Sequence, residues 1–245
     1  MKKIAAIIEA RMNSTRLPGK ILKKIGNKPS ILHTIERLKM SNKIDDIIIA
    51  TTKNKKDDIL INLCEKKNIK YFRGSENNVL KRVLNTAQKF NVDVIVEITG
   101  DSVFLDYKLI NKAIKIFMNN NYHFVANCVR KPMYIAGFDI RIFKTKKLQE
   151  ISYKIIDKDD YEHVSSFFWR NSKLFRTKNI KAPKKYDSSK YFLGLDTIED
   201  LRLLRKIYKS LGDNDRYFGA KEIIDFLDKN KEIGQINANI RRSNL

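Results

Sequence analysis

The chain is poor in cysteine, with Cys64 and Cys128 its only two in 245 residues. Both lie in apolar-patterned segments, so they form no zinc site between them and read as buried thiols. Long hydrophobic runs are also missing. The longest are strand-sized, so neither a signal peptide nor a membrane span is expected, and the cytoplasm is the expected location. Neither G-x-G-x-x-G nor G-x-x-x-x-G-K-[ST] occurs, which leaves a dinucleotide fold and a P-loop kinase without support. Repeats and low-complexity linkers are absent too, so the chain reads as one domain with an inserted arm. Acidic residues are in deficit, 28 against 50 Lys and Arg, for a formal net charge of +22. Such an excess can serve nucleic acid or an anionic membrane surface. Here the lysines are spread along the whole chain, and no basic stripe is interleaved with aromatics. Abundant Asn and Ile fit an AT-rich coding bias, so the charge reads mainly as compositional drift. A nucleic-acid-binding α/β protein stays as the rival reading and is disfavoured.

What is present is enough apolar material for a real core, 42% of the chain. Residues 3–9 read as a buried strand. Ile31, Leu32, Ile35 and Leu38 recur at helical spacing, so 29–40 reads as an amphipathic helix opened by Pro29. Further strands are expected over Ile44–Thr51, Ile69–Phe72 and Val92–Ile98, with helices over 55–67, 76–90 and 106–119. Four strand–helix alternations imply parallel strands with crossover helices, an α/β Rossmann-like sheet. Beyond about residue 121 the rhythm changes. Tyr122–Cys128 reads as a strand, and 129–144, with Pro132 and Gly137, as a hairpin or excursion. Helices are expected near 145–153 and 158–171, strands over Leu174–Ile180 and Lys190–Leu195, then helices over 197–211 and 219–229.

The loop after the first strand concentrates the chemistry. Arg11, Arg16 and Lys20 follow Glu9 closely, with Ser14 and Thr15 between them. Pro18-Gly19 turns the backbone and permits close approach. Ligands of open α/β sheets bind outside the carboxyl ends of strands, so cations, hydroxyls and backbone N–H groups there suit a polyanion such as a triphosphate. A solvated basic loop is the bland alternative. Thr99-Gly100-Asp101 closes the fourth strand on the same rim. Asp101 is either part of a turn or an oxygen ligand for a magnesium ion shared with a nucleotide. Asp196 with Glu199 has the spacing of a helix capping box, and Ser75 reads as an N-cap.

Residues Ala10 to Leu22 match every fixed position of A-R-M-x-S-T-R-L-P-G-K-x-L. This run resembles the nucleotide-binding signature of the cytidylyltransferase family that activates sugars for bacterial surface polysaccharides. That family includes the 3-deoxy-manno-octulosonate and acylneuraminate enzymes, and the spore-coat polysaccharide branch is the most similar. The resemblance implies a mostly parallel sheet of nucleotidyltransferase, glycosyltransferase-A-like type with an inserted hairpin or arm. It also implies that Ala10, Arg11, Ser14, Arg16 and Lys20 contact CTP, with Arg11 and Lys20 stabilising the leaving pyrophosphate.

Further motifs extend the likeness. Leu195-Asp196-Thr197-Ile198-Glu199-Asp200-Leu201 resembles the family's D-T-x-E-D-L, which makes Asp196 the second magnesium ligand beside Asp101. Arg73-Gly74-Ser75-Glu76-Asn77-Asn78-Val79-Leu80-Lys81-Arg82 resembles R-G-S-E-x-x-V-L-x-R, so Gly74, Ser75 and Arg82 are implied nucleotide contacts. Thr51 and Thr99 join them. Gly137-Phe138-Asp139 and Glu162-His163-Val164 resemble acceptor-side segments, which nominates Asp139, Glu162 and His163, with Arg141 as a cation for an acceptor carboxylate. His33, His123 and His163 each also fit a structural role. The chain departs from the family pattern at Glu9 (Gln in relatives), Glu97 (Arg), Val103 (Pro) and Arg141 (Glu). The expectation is a magnesium-dependent transfer of CMP from CTP to a sugar acid of 2-keto-3-deoxy or nonulosonic type. Residues 1–120 would form the nucleotide half, 121–196 the acceptor and dimerisation half, and 197–245 the C-terminal helices of a homodimer. A nucleotidyltransferase using another nucleotide or a phosphorylated acceptor is the alternative.

Overall fold

The computed structural model describes residues 2–131, 133–154, 158–187, 190–212 and 217–240. Its centre is β1 (Ile4–Glu9), in which Ala5, Ala6, Ile7 and Ile8 have no exposed surface. An apolar strand buried on both faces belongs in the middle of a parallel sheet. A small hairpin, β2 (Lys24–Ile25) with β3 (Lys28–Pro29), leads into α1 (Ser30–Lys39). There follow β4 (Asp46–Thr52), α2 (Asp58–Lys66), β5 (Lys70–Gly74), α3 (Val79–Lys89), β6 (Val94–Thr99) and α4 (Tyr107–Met118). The second half brings β7 (Phe124–Ala126), β8 (Arg141–Lys144), α5 (Thr145–Ser152), α6 (Lys158–Glu162), α7 (Ser166–Arg170) and β9 (Thr177–Asn179). Helices α8 (Ile198–Leu211), α9 (Ala220–Lys229) and α10 (Lys231–Gly234) finish the described chain.

The sheet order is β5-β4-β1-β6-β8-β7-β9. β1 pairs in parallel with β4 on one side and β6 on the other, and Glu9 lies opposite both Ala50 and Thr99. The chain winds outward from β1 to β5 and then crosses to β6. That reversal opens a crevice at the carboxyl ends of β1 and β6. Residues 129–144, expected as a hairpin or excursion, are a long connection that ends in β8, which pairs antiparallel with β7 on one side and β6 on the other. The connection packs inward, with Ile135 and Phe138 fully buried. The Asn127 side chain pins that connection, donating to the Phe138 carbonyl and accepting from Ile140 N–H, both at 2.8 Å.

Period-two alternation divides the core. Ala6 and Ile8 face Ile31, Ile35, Leu60 and Ile114, while Ala5 and Ile7 face Leu80, Val83, Leu148 and Phe168. A third cluster joins Phe104, Ile135 and Phe138 to Leu204 and Ile223 beneath α8 and α9. Fully burying each such side chain contributes roughly 1.5–3 kcal/mol. No helix among the described residues is long and apolar enough to cross a membrane.

Several local expectations are corrected. Residues 190–195 form no strand; they make a single bridge, Ala136 to Phe192, and Leu195 N–H donates to the Asp101 carbonyl at 3.0 Å. The helix expected over 158–171 is interrupted between Glu162 and Ser166. The cap of α3 is Asn78, which accepts from Lys81 N–H at 2.7 Å, whereas Ser75 Oγ accepts from Asn78 N–H one turn earlier. The capping box of α8 is Thr197 with Asp200, displaced by one residue from the Asp196–Glu199 spacing. Helix α10 was not expected. Pro132 falls outside the described residues.

Candidate functional site

The loop after β1 is shaped by its own backbone. Ser14 and Gly19 N–H groups both donate to the Met12 carbonyl at 3.0 Å, and Lys20 N–H donates to Leu17 at 3.1 Å. Gly19 closes the turn with φ +68°, a region that glycine enters without the penalty of a Cβ. The loop is also anchored from a distance. Asp57, 1% exposed, accepts from Met12 N–H at 2.7 Å and from Thr51 Oγ1 and Thr52 N–H at 3.0 and 3.1 Å. An aspartate opening a helix reads locally as a cap, so its reach to the loop was missed in the sequence. Gly100 completes the seam: its N–H donates to the Glu9 carbonyl at 2.9 Å, and a Cβ there would meet that same oxygen at 2.9 Å.

These constraints bring Lys20, Asp101 and Asp196 together. Lys20 Nζ lies 3.0 Å from Asp101 Oδ2 and 2.8 Å from Asp196 Oδ1. Arg16 reaches Asp196 Oδ2 at 3.0 Å, and Arg11 approaches Glu162 at 3.7 Å. Because Thr197 and Asp200 cap α8, the Asp196 carboxylate is left to the cleft, while its own N–H is held by Asp200 Oδ2 at 3.0 Å. Burial pushes the Asp101 carboxyl up, but Lys20 and the Thr99 hydroxyl outweigh it and hold its pKa below the usual value. Burial likewise opposes the Lys20 charge, yet the two aspartates raise its pKa. Both therefore remain charged at neutral pH.

The cleft over this cluster has a volume of 380 Å³. Ala10, Arg11, Ser14, Arg16, Lys20, Arg82, Thr99, Asp101, Glu162, His163 and Asp196, all expected from the sequence, line it. Asn13 and Thr15 line it as well, and so does Glu9. Thr51 does not: it is fully buried with its hydroxyl bound to Asp57, so it braces the loop from behind. Gly74 and Ser75 also lie behind the lining. The Arg82 stem packs on Gly74, where a Cβ would meet Arg82 Cγ at 2.8 Å, and its Nη1 donates to the Ser75 carbonyl.

Asp139 and Arg141 do not line the cleft either. Arg141 faces Glu97 directly across β6–β8, 3.9 Å from its Oε1, so it is matched inside the protein. Two departures from the family pattern are thus one cross-strand pair of opposite charge. Burial lowers the Arg141 pKa, but Cys128, Glu97 and Asp139 outweigh it and raise it. Burial pushes the Asp139 carboxyl up to about 6 against the pull of Arg141, and it raises Glu97 as well. Burial and the Glu97 charge hold Glu9 well above the ordinary carboxylate range, opposed by Arg82 and Arg141. Glu9 Oε1, Glu97 Oε2 and Arg82 Nε are buried without a hydrogen-bond partner.

Among the described residues no group of three or more Asp, Glu, His or Cys side chains could hold a metal alone. Two carboxylates drawn to one ammonium group do fit magnesium, which is held by one or two carboxylates while substrate phosphates complete its shell.

The geometry can be set beside known proteins. SpsF, a spore coat polysaccharide biosynthesis protein of Bacillus subtilis, is 31% identical over 95% of this chain and 97% of its own. The solved structure of a cytidylyltransferase from Leptospira borgpetersenii superposes with a TM-score of 0.89 at 30% identity over all of both chains. A CMP:2-keto-3-deoxy-manno-octonic acid synthetase, solved in complex with CTP, shares the fold at TM-score 0.65 and 17% identity, over 85% of this chain and 99% of that one. The sequence model of the cytidylyltransferase family matches residues 5–233, from β1 through α10, and so takes in the cationic loop and both rim aspartates. With the whole cleft inside that match, this chain belongs to the cytidylyltransferase family.

Proposed function

We infer that the cleft binds CTP with magnesium and transfers CMP to a hydroxyl of a sugar acid of 2-keto-3-deoxy or nonulosonic type, for surface glycan synthesis. The observation that carries this reading is the convergence of Lys20 and Arg16 on Asp101 and Asp196 at one point of the rim. The acceptor oxygen forms a bond to the α-phosphorus, the bond from that phosphorus to the β-phosphate bridge breaks, and the hydroxyl proton leaves. No covalent protein intermediate is needed; positioning and charge stabilisation suffice. Arg11, Arg16 and Lys20 receive the charge that builds on the departing pyrophosphate. Asp101 and Asp196 would hold magnesium, which when bound supplies further charge neutralisation at the phosphates. Glu162, at the end of α6, and His163, just after it, line the exposed lip of the cleft and would meet the acceptor. The names of the relatives support the acceptor class: one acts in spore coat polysaccharide biosynthesis and others are 3-deoxy-manno-octulosonate cytidylyltransferases.

The test is release of pyrophosphate from CTP and magnesium across a panel of 2-keto sugar acids. Turnover with one of them, dependent on magnesium, is the expected result. Pyrophosphate release that needs no sugar acid and proceeds only with a sugar phosphate would overturn the acceptor assignment.

A further inference from the structure

The two rim aspartates and Lys20 differ in how firmly they are held. Leu195 N–H donates to the Asp101 carbonyl at 3.0 Å, which ties the segment carrying Asp196 to the segment carrying Asp101. Asp200 fixes the Asp196 backbone again, accepting from its N–H at 3.0 Å. The spacing of the two carboxylates is therefore set by the backbone. The backbone of Lys20 is fixed as well: its N–H donates to Leu17 at 3.1 Å and its carbonyl accepts from Ser30 Oγ at 2.9 Å. Its ammonium, however, ends a flexible stem that can re-aim it without moving the chain. That ammonium spans Asp101 Oδ2 at 3.0 Å and Asp196 Oδ1 at 2.8 Å, and Arg16 holds the other Asp196 oxygen at 3.0 Å. Carboxylate oxygens suited to magnesium are thus in contact with cations of the protein itself. A dication brought to the same two oxygens would stand beside the ammonium. The side chains of Lys20, Asp101 and Asp196 are only 15%, 28% and 17% exposed, so water screens that repulsion poorly.

We propose that Lys20 is an internal competitor for the metal: its ammonium holds Asp101 and Asp196 until a nucleoside triphosphate draws it onto the phosphates, so the metal ion enters with the nucleotide and not before it. The inference rests on the nucleotidyl-transfer reading and specifies how metal binding at that site is controlled. Lys20 has somewhere to go, because Arg11, Asn13, Ser14 and Thr15 line the same cleft beside it. A triphosphate bound among those donors carries more negative charge than two carboxylates. Lys20 then has two alternating partners, whereas a purely structural ion pair has one. Until the exchange, the ammonium spares the fold the repulsion between two neighbouring carboxylates. Linkage makes the effect reciprocal: the factor by which nucleotide raises metal affinity is the factor by which metal raises nucleotide affinity.

The competition is read without turnover by titrating Mn²⁺, an oxygen-seeking stand-in for magnesium, into the full chain without nucleotide and following the free ion by electron paramagnetic resonance. The unaltered chain is expected to bind Mn²⁺ weakly. Lys20→Met removes the ammonium and is expected to bind one Mn²⁺ roughly 10-fold more tightly or better, within the usual range of coupling between two ligands. Lys20→Gln keeps an N–H donor for the aspartates without the charge, guards against a Met variant that does not fold, and is expected to gain affinity in the same direction. Adding Asp196→Asn to either variant should abolish the gain. Mn²⁺ bound by the unaltered chain as tightly as by the Lys20 variants overturns the inference, as does a gain that survives Asp196→Asn. Neither result touches pyrophosphate release by the unaltered chain, which tests the transferase reading separately.

Discussion

Two charged clusters share the rim of one sheet. At the end nearest the loop after β1, Lys20 lies between Asp101 and Asp196 and Arg16 backs the second aspartate, so each charge has an opposite neighbour within 3.0 Å. At the β1–α3–β8 end, Glu9, Glu97, Asp139, Arg82 and Arg141 are packed together with three buried atoms unpaired. The first cluster is pre-arranged: its aspartate stays ionised and its lysine protonated across the neutral range. The second holds its carboxyls above their ordinary pKa values because burial outweighs the two arginines. Matched charges stabilise the fold and set geometry in advance, whereas unmatched buried ones cost stability.

The largest effect that separates the two clusters is on turnover. Asp101→Asn should lower pyrophosphate release by about 10³-fold or more while circular dichroism and melting stay native, because charge stabilisation supplies much of the rate acceleration in such a site. Retained activity would remove Asp101 from the chemistry and leave the first cluster purely structural. The next effect is on stability. Asp57→Ala strips partners from Met12, Thr51 and Thr52, and urea unfolding should register a loss of about 2–4 kcal/mol. An unchanged midpoint would mean that the loop holds its shape without that anchor.

The smallest effect is a pH signature of the second cluster. Asp139 is held at about 6, against 3.8 for an ordinary aspartate. Between these values the folded chain takes up a proton that the unfolded chain does not, so stability rises as pH falls from 6 towards 4. The gain should be on the order of 1–2 kcal/mol for Asp139, with Glu9 and Glu97 acting in the same sense. Asp101, held low, acts the other way and loses its contribution only below its ordinary pKa. Thermal melts of Asp139→Asn across that window should be flatter than those of the unaltered chain. An unaltered slope would contradict the assignment of the shift to Asp139.

Much of this was legible in the sequence because the signals are local. Apolar runs alternating with helical spacing gave the parallel half of the sheet, and the loop from Ala10 to Leu22 carried the cations that line the cleft. Asp101 and Asp196, almost a hundred residues apart, were paired through family resemblance rather than through spacing. What escaped were destinations of side chains. Asp57 looks like a helix opener, yet its carboxylate crosses to a loop 45 residues away. Thr51 sits on the expected rim, but the strand turns its hydroxyl inward. Asp196 and Glu199 have cap spacing, and only the backbone geometry shows that Thr197 and Asp200 do the capping instead. Residues 190–195 alternate like a strand, but they make one bridge and then turn to deliver Asp196 to the cleft. Arg141 carries the charge for an acceptor carboxylate, but it lies opposite Glu97, a pairing that depends on the β6–β8 register.

We propose that the matched cluster at Lys20, Asp101 and Asp196 is built for CTP and magnesium. Its most direct test is a thermal-shift titration of the full chain with CTP, UTP, ATP and GTP, each with and without magnesium. The account predicts selective stabilisation by CTP that grows when magnesium is added, in proportion to ligand over Kd. Equal stabilisation by all four nucleotides, or none by any, would contradict it.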